Sequence, residues 1–219
     1  MRDPLALKYN DKSVLENHHV SATFHILQNE KFNILQNFTR EEYNKIRERM
    51  ISMVLSTDMA FHFSHLAKLK GRLASQDFNI QEQDKKMCMD QIIHAADISN
   101  PIKPFFLCSK WTDKVLEEFW NQGDLERKAG FPISYLMDRY TVNIAKSQIG
   151  FIDVIVSPTF DVIKNYLPEL TNYIPNFDTN KENWKTRIDG YDEKLSNFDF
   201  NEEILNEEKN TEMKEQKVE

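Results

Sequence analysis

The chain has 219 residues, of which 40% are hydrophobic and 29% charged, and its net charge is −7. This length suits one domain, and the negative charge argues against a nucleic-acid groove, which needs a basic surface to neutralise phosphates. Two cysteines, Cys88 and Cys108, are too few for a disulfide framework. The N-terminus lacks the apolar segment of a signal peptide, and no apolar run reaches the ~20 residues that span a bilayer. We therefore expect a cytoplasmic protein whose chain has no membrane segment.

The predicted secondary structure is helical along almost the whole chain, because apolar residues recur at helical spacing and there are only five glycines. A capping box formed by Thr39 and Glu42 opens one long segment that closes near Gly71. The other predicted helices are Val14–Leu27, Met87–Ile98, Ser109–Asn121 (stopping at Gly123), Met137–Val156 (ended by Ser157-Pro158), Thr159–Tyr166 and Asn180–Ile188. The predicted fold class is all-α, a compact multi-helix bundle.

The C-terminal end differs from the rest in composition. From Asn201 onward Glu, Lys and Asn dominate and apolar residues are few. We assign residues 1–198 to one domain and predict that residues 199–219 form a charged, disordered tail.

The six histidines are His18, His19, His25, His62, His65 and His94. Taken singly, each is more often a structural or surface histidine than a ligand. The pairs Glu16/His19, His62/His65 and His94/Asp97 each share a helix face, and helical bundles build metal sites from such faces. The signal is weak because the chain has no HExxH, CxxC or glycine-rich phosphate motif.

A second group of candidate residues is Ser147-Gln148-Ile149-Gly150-Phe151 in the most apolar segment. Gln148 and Phe151 lie three residues apart, so an amide and a ring share one face of the helix. The amide suits the edge of a purine and the ring its flat face. The alternative is a core phenylalanine beside a glutamine that bonds a neighbouring helix, and spacing alone favours that alternative.

Five sequence blocks in order carry a family resemblance: Ser13 to His19, Ser56 to Met59, His94 to Pro101, Glu117 to Asp124, and Ser147 to Asp153. Together they resemble the catalytic domain of the class I cyclic nucleotide phosphodiesterases, from near the start of the chain to about Trp184. The resemblance implies an all-helical domain that hydrolyses 3′,5′-cyclic nucleotides, cAMP or cGMP, to 5′-monophosphates. It also implies two divalent metal ions, zinc and magnesium or manganese, which together activate water and neutralise the phosphate.

The resemblance also implies roles for individual residues. Asp97 matches the aspartate that ligates metal and faces the phosphate, and Glu16 and Thr57 match residues that hold metal-bound water. Gln148 matches the glutamine that bonds the purine edge and Phe151 the ring that stacks on it. The residues that remain match positions near the purine or lining the pocket: Asn100, Met59, Ile98, Val115, Phe119 and Leu136.

The chain departs from the family in one respect. The family's His-Asp pair, its further histidine ligands and the histidine that protonates the leaving oxygen belong upstream of Lys8-Tyr9-Asn10 and are not found. Asp97 is then the one matched direct ligand, so we expect an N-terminally truncated and inactive version of the domain, with no catalytic general acid in this chain. It is either a fragment of a longer gene product or a shortened paralogue that has lost catalysis. A non-catalytic helical module that binds a nucleotide or a partner is the alternative, and the ordered blocks argue against a plain structural bundle. Asn100 favours cAMP as the substrate, whereas the Ser147 to Asp153 block also resembles family members that accept both nucleotides. The sequence does not determine the oligomeric state.

Overall fold

A computed structural model describes residues 3–191. Within this range the secondary structure is helical and contains no strand, which confirms the predicted all-α class. The α-helices are α1 (Pro4–Tyr9), α2 (Val14–Leu27), α3 (Arg40–Leu55), α4 (His62–Leu73), α5 (Lys85–Asp97), α6 (Phe105–Lys128), α7 (Ile144–Phe151), α8 (Ser157–Ile163) and α9 (Pro175–Lys185). Short 3-10 turns lie at Glu30–Phe32, Met59–Phe61, Asn100–Ile102 and Pro168–Asn172, and a π-helical turn at Ile152–Val156.

The described residues divide into two compact units. The first unit contains the described residues up to Ser99 together with Val156–Ile174, and the second contains Asn100–Ile155 together with the described residues from Pro175 onward. The predicted domain of residues 1–198 spans both units and stays a prediction. The predicted tail, residues 199–219, lies outside the described residues.

The first unit is built around two apolar clusters. In one, Leu66 and Leu69 of α4 pack with Cys88 of α5 and Val162 of α8. The other cluster consists of Phe24, Leu27 and Leu35. Of the described helices, none is long and apolar enough to cross a membrane.

In the second unit, α9 packs against the 3-10 turn at Asn100–Ile102 and against α6 and α7. The buried Asn180 amide donates to the carbonyls of Pro101 (2.7 Å) and Lys103 (2.9 Å). Trp184, which is 1% exposed, meets the Phe105 ring edge-on at 5.2 Å. These contacts hold the turn that carries Asn100.

The helix predicted from Thr39 to near Gly71 is two helices, so this prediction is wrong in its middle. The capping box at its start is confirmed: Thr39 Oγ1 accepts from the Glu42 N–H, and Glu42 accepts from the Thr39 N–H. The break follows Leu55, where the Ser56 and Thr57 hydroxyls donate to main-chain carbonyls three residues back. Hydroxyls that bond the local backbone compete with helix continuation.

The helix predicted to stop at Gly123 continues to Lys128 as α6. Gly123 is buried inside this helix, and a Cβ built there would lie 1.9 Å from the carbonyl oxygen of Met137. The glycine therefore does not end the helix but admits the backbone of another segment against it.

The helix predicted from Met137 begins later, at Ile144, where Asn143 caps it through its side chain. Its other end also differs: α7 ends at Phe151, a π-helical turn covers Ile152–Val156, and Pro158 lies in the first turn of α8, where a missing N–H breaks no helical bond. Helix α9 begins at Pro175, five residues before the predicted start, because proline is favoured in the first turn of a helix.

Candidate functional site

The Gln148 amide is held by a short chain of hydrogen bonds within the second unit. Asn100 Nδ2 donates to the main-chain carbonyl of Cys108 (3.2 Å) and to Thr112 Oγ1 on α6 (3.3 Å). The Thr112 hydroxyl donates to Gln148 Oε1 on α7 (3.1 Å). These three side chains, Asn100, Thr112 and Gln148, form a connected set that we call the amide relay.

The Cys108 carbonyl sets the direction of the amide relay. A carbonyl can only accept a hydrogen bond, so Asn100 must turn its NH₂ group toward Cys108 and Thr112. Thr112 accepts from that group and, in the orientation that the structure gives the Gln148 amide, donates its own proton to Gln148 Oε1. Gln148 Nε2 then has no partner among residues 3–191 and is free to donate to a ligand.

Two further features of this region point to ligand binding. Asn100 Oδ1 is buried and has no hydrogen-bond partner in the described part of the chain, as expected where a ligand or a water completes a site. Phe151 shares α7 with Gln148, is half-buried, and precedes the π-helical turn at Ile152–Val156. Such turns are frequent at functional sites.

The other residues predicted to line a pocket in the second unit are partly accessible. Val115 on α6 is 43% exposed, and Phe119, one turn further along, is half-buried. Leu136 is half-buried on the segment between α6 and α7, with a φ of 65°. This left-handed conformation is unfavourable for a residue with a side chain as large as leucine.

The predicted phosphate-end residues lie in the first unit. Asp97 is the last residue of α5 and is exposed, and Glu16 is half-buried on α2. Neither carboxylate has a hydrogen bond or ion pair with residues 3–191, whereas Thr57 Oγ1 donates to the Val54 carbonyl at 2.8 Å. Met59 is 44% exposed and Ile98 is buried.

Carboxylate oxygens without protein partners are suitable ligands for magnesium or manganese, so Asp97 and Glu16 fit a divalent cation in chemical type. Within residues 3–191, no group of three or more His, Cys, Asp or Glu side chains is arranged to hold a metal ion.

The structure pairs two histidines that the spacing did not connect. His62 Nδ1 on α4 and His94 Nε2 on α5 lie 2.8 Å apart, and both side chains are 1% exposed. Burial, with a smaller contribution from His62, lowers the pKa of His94 to about 4, and burial also lowers the pKa of His62. The pair is therefore neutral at pH 7 and links the two helices, while His65 stacks on Phe61 at 5.8 Å.

Sequence reasoning missed both the histidine pair and Thr112, although each carried a signal. His62 lies on the same helix face as Leu66 and Leu69, which marks it as a core residue. Thr112 stands between Cys108 and Leu116 in a buried stripe at i, i+4 and i+8. A hydroxyl in such a stripe needs a partner from another element.

The fold and these residues can be set beside known proteins. The chain belongs to the 3′5′-cyclic nucleotide phosphodiesterase family, whose family model matches residues 1–177. It is 43% identical over 189 residues to a probable 3′,5′-cyclic phosphodiesterase of Caenorhabditis elegans, covering 86% of this chain and 28% of the relative. It is 45% identical over 158 residues to a human dual specificity calcium/calmodulin-dependent 3′,5′-cyclic nucleotide phosphodiesterase, covering 72% of this chain and 29% of the relative.

Among solved structures, the phosphodiesterase domain of a rhodopsin–phosphodiesterase fusion from the choanoflagellate Salpingoeca rosetta superposes with a TM-score of 0.79 at 32% identity. The match covers 88% of this chain and 62% of that one. The chain thus spans less than a third of these two curated relatives and less than two thirds of this solved domain. The family resemblance inferred from the sequence is confirmed.

Proposed function

We propose that this chain forms part of a domain that hydrolyses 3′,5′-cyclic nucleotides to 5′-monophosphates. Family membership supports the reaction class, and the observation that supports a purine-binding role is the amide relay. An amide that presents a free N–H and still has a lone pair on its oxygen can pair with the donor and acceptor atoms on a purine edge.

Gln148 is the proposed base-recognition residue. Adenine offers an N–H donor and an acceptor at the two positions where guanine offers an acceptor and an N–H donor, so an amide of fixed orientation matches only one order. Thr112 restrains that orientation, which supports a preference for one nucleotide, and Asn100 supports cAMP. Phe151 would stack on the base, and Val115, Phe119 and Leu136 would line the apolar part of the pocket.

In the first unit, Asp97 would ligate metal, and Glu16 and Thr57 would orient metal-bound water. When bound, two divalent ions, zinc with magnesium or manganese, would supply charge neutralisation and an activated water. The chain's own contribution is to present two unpaired carboxylates. Because Asp97 is the one direct ligand that we match, we propose that a polypeptide of only these 219 residues turns over little cyclic nucleotide.

The test uses the full-length gene product that contains these residues. Phe151→Ala should raise KM by about fivefold or more through lost stacking, which is worth ~1–3 kcal/mol per base. Gln148→Ala should also raise KM because the purine edge loses its partner. Unchanged KM and kcat in both variants would contradict the assignment.

The amide relay has its own test. Thr112→Val keeps the side-chain shape but removes the hydroxyl, so the Gln148 amide becomes free to rotate. We expect the ratio of kcat/KM for cAMP to that for cGMP to move toward one. Thr179→Val on α9, which removes an exposed hydroxyl bonded only to its own helix, is the matched control and should leave the ratio unchanged. A parent preference for cGMP, or a ratio insensitive to Thr112→Val, would overturn this part of the proposal.

A further inference from the structure

The segment between α6 and α7 is tied to the last turns of α6 by polar contacts at several points. Glu126 accepts from both the main-chain N–H (2.7 Å) and the hydroxyl (2.8 Å) of Ser134. Gln122 also donates to Glu126 at 2.9 Å. These donors, with that of Gln122 contributing most, lower the pKa of Glu126 and keep it ionised.

Two arginines form a second tie a few residues further along the segment. Arg127 on α6 bonds Asp138 at 2.7 Å and Asp124 at 3.2 Å. Arg139 reaches back to the same Asp124. Arg127 also lies over the Tyr140 ring, 4.8 Å from its centroid.

Between these two ties the backbone touches α6 directly and is strained. Gly123 leaves room for the carbonyl of Met137, since a Cβ at this position would lie 1.9 Å from the oxygen. The preceding residue, Leu136, has a φ of 65°. Strained residues persist only where their surroundings determine the conformation, and they cluster at functional sites.

We propose that Glu126, Asp124 and Arg127 of α6 act as a clamp that positions Leu136 as a rigid wall of the nucleotide pocket. The residues of this clamp are positioning residues, because they act through the segment and touch no reacting atom. The inference rests on the proposed function, since it takes Leu136 as pocket lining. Ser134 and Asp138 lie two residues to either side of Leu136, so its main chain is fixed from both directions.

The experiment compares Glu126→Ala, Glu126→Gln and Glu117→Ala in the full-length gene product. Glu126→Gln keeps an acceptor for one Ser134 donor. Glu117 is on the same helix but exposed, with only a lysine one turn away as its partner, so its variant controls for loss of a carboxylate. The readouts are hydrogen exchange of the amides in residues 130–143 and the steady-state constants for the preferred cyclic nucleotide.

For Glu126→Ala we expect faster hydrogen exchange in residues 130–143 and unchanged exchange in α6. We also expect KM to rise about tenfold, equivalent to about 1.4 kcal/mol, while kcat stays within about twofold of the parent. Glu126→Gln should lie between this variant and the parent, and Glu117→Ala should match the parent. The proposal is overturned if the segment exchanges as in the parent, if KM is unchanged, or if α6 also loses protection so that the residue is merely structural. A parent that turns over neither nucleotide would contradict the proposed function and remove the pocket role of Leu136, while the exchange data would still report whether the segment is clamped.

Discussion

Replacing Gly123 with alanine tests whether the backbone of residue 137 is seated against α6. The added Cβ would lie 1.9 Å from the Met137 carbonyl oxygen and 2.7 Å from its carbonyl carbon. Real Cβ contacts essentially never fall below 3.0 Å, so helix and segment would have to separate by about 1.1 Å (3.0 minus 1.9). Both partners are backbone, so no side-chain rotation can relieve the clash.

The free-energy change combines two opposing effects. Alanine in place of glycine inside a helix contributes about 1 kcal/mol of stability, whereas forced separation of packed backbone costs about 1–3 kcal/mol. We therefore expect Gly123→Ala to destabilise the protein by up to about 2 kcal/mol. Gly71 on α4 is the matched control, because a Cβ there meets nothing within 4 Å and Gly71→Ala should stabilise by about 0.5–1 kcal/mol.

The assay is equilibrium urea unfolding of the 219-residue polypeptide, followed by circular dichroism, with the midpoint and the slope compared among parent, Gly71→Ala and Gly123→Ala. Opposite shifts of the two midpoints at equal slope are the expected result. If Gly123→Ala stabilises as much as Gly71→Ala does, then residue 137 does not pack against α6, and this result would also contradict the proposed clamp.

Two further predictions concern the same polypeptide. Burial holds the His94 pKa at about 4, against an ordinary value of 6.5, so the unfolded chain binds more protons between these values and stability falls as the pH is lowered through that range. The full shift corresponds to a loss of about 3 kcal/mol in the free energy of unfolding. As the pH is lowered, the urea midpoint should fall more steeply in the parent than in His94→Gln. Equal slopes in the two proteins would contradict the prediction. Supplied with zinc, magnesium or manganese, the 219 residues should show little turnover of cAMP or cGMP. Binding of two metals per chain, with turnover abolished by Asp97→Ala, would refute that prediction.

The sequence alone determined the helical class, the family and the position of several helix ends. These features are local: a capping box at Thr39 and Glu42, or an apolar stripe such as Val14–Leu27, depends on residues a few positions apart, so the chain carries the signal without its tertiary partners. The shared helix of Gln148 and Phe151 was predictable for the same reason.

Tertiary structure decided what those side chains touch. Gly123 reads locally as a helix end, and only the approach of the Met137 carbonyl, fourteen residues later, shows why a glycine stands inside a helix. His62 and Thr112 carry polar groups into buried positions, and their partners, His94 and Gln148, come from other helices that no short spacing links to them. Most buried polar groups find a hydrogen bond, but the sequence does not say which element supplies it, because that choice is made by the packing of the whole unit.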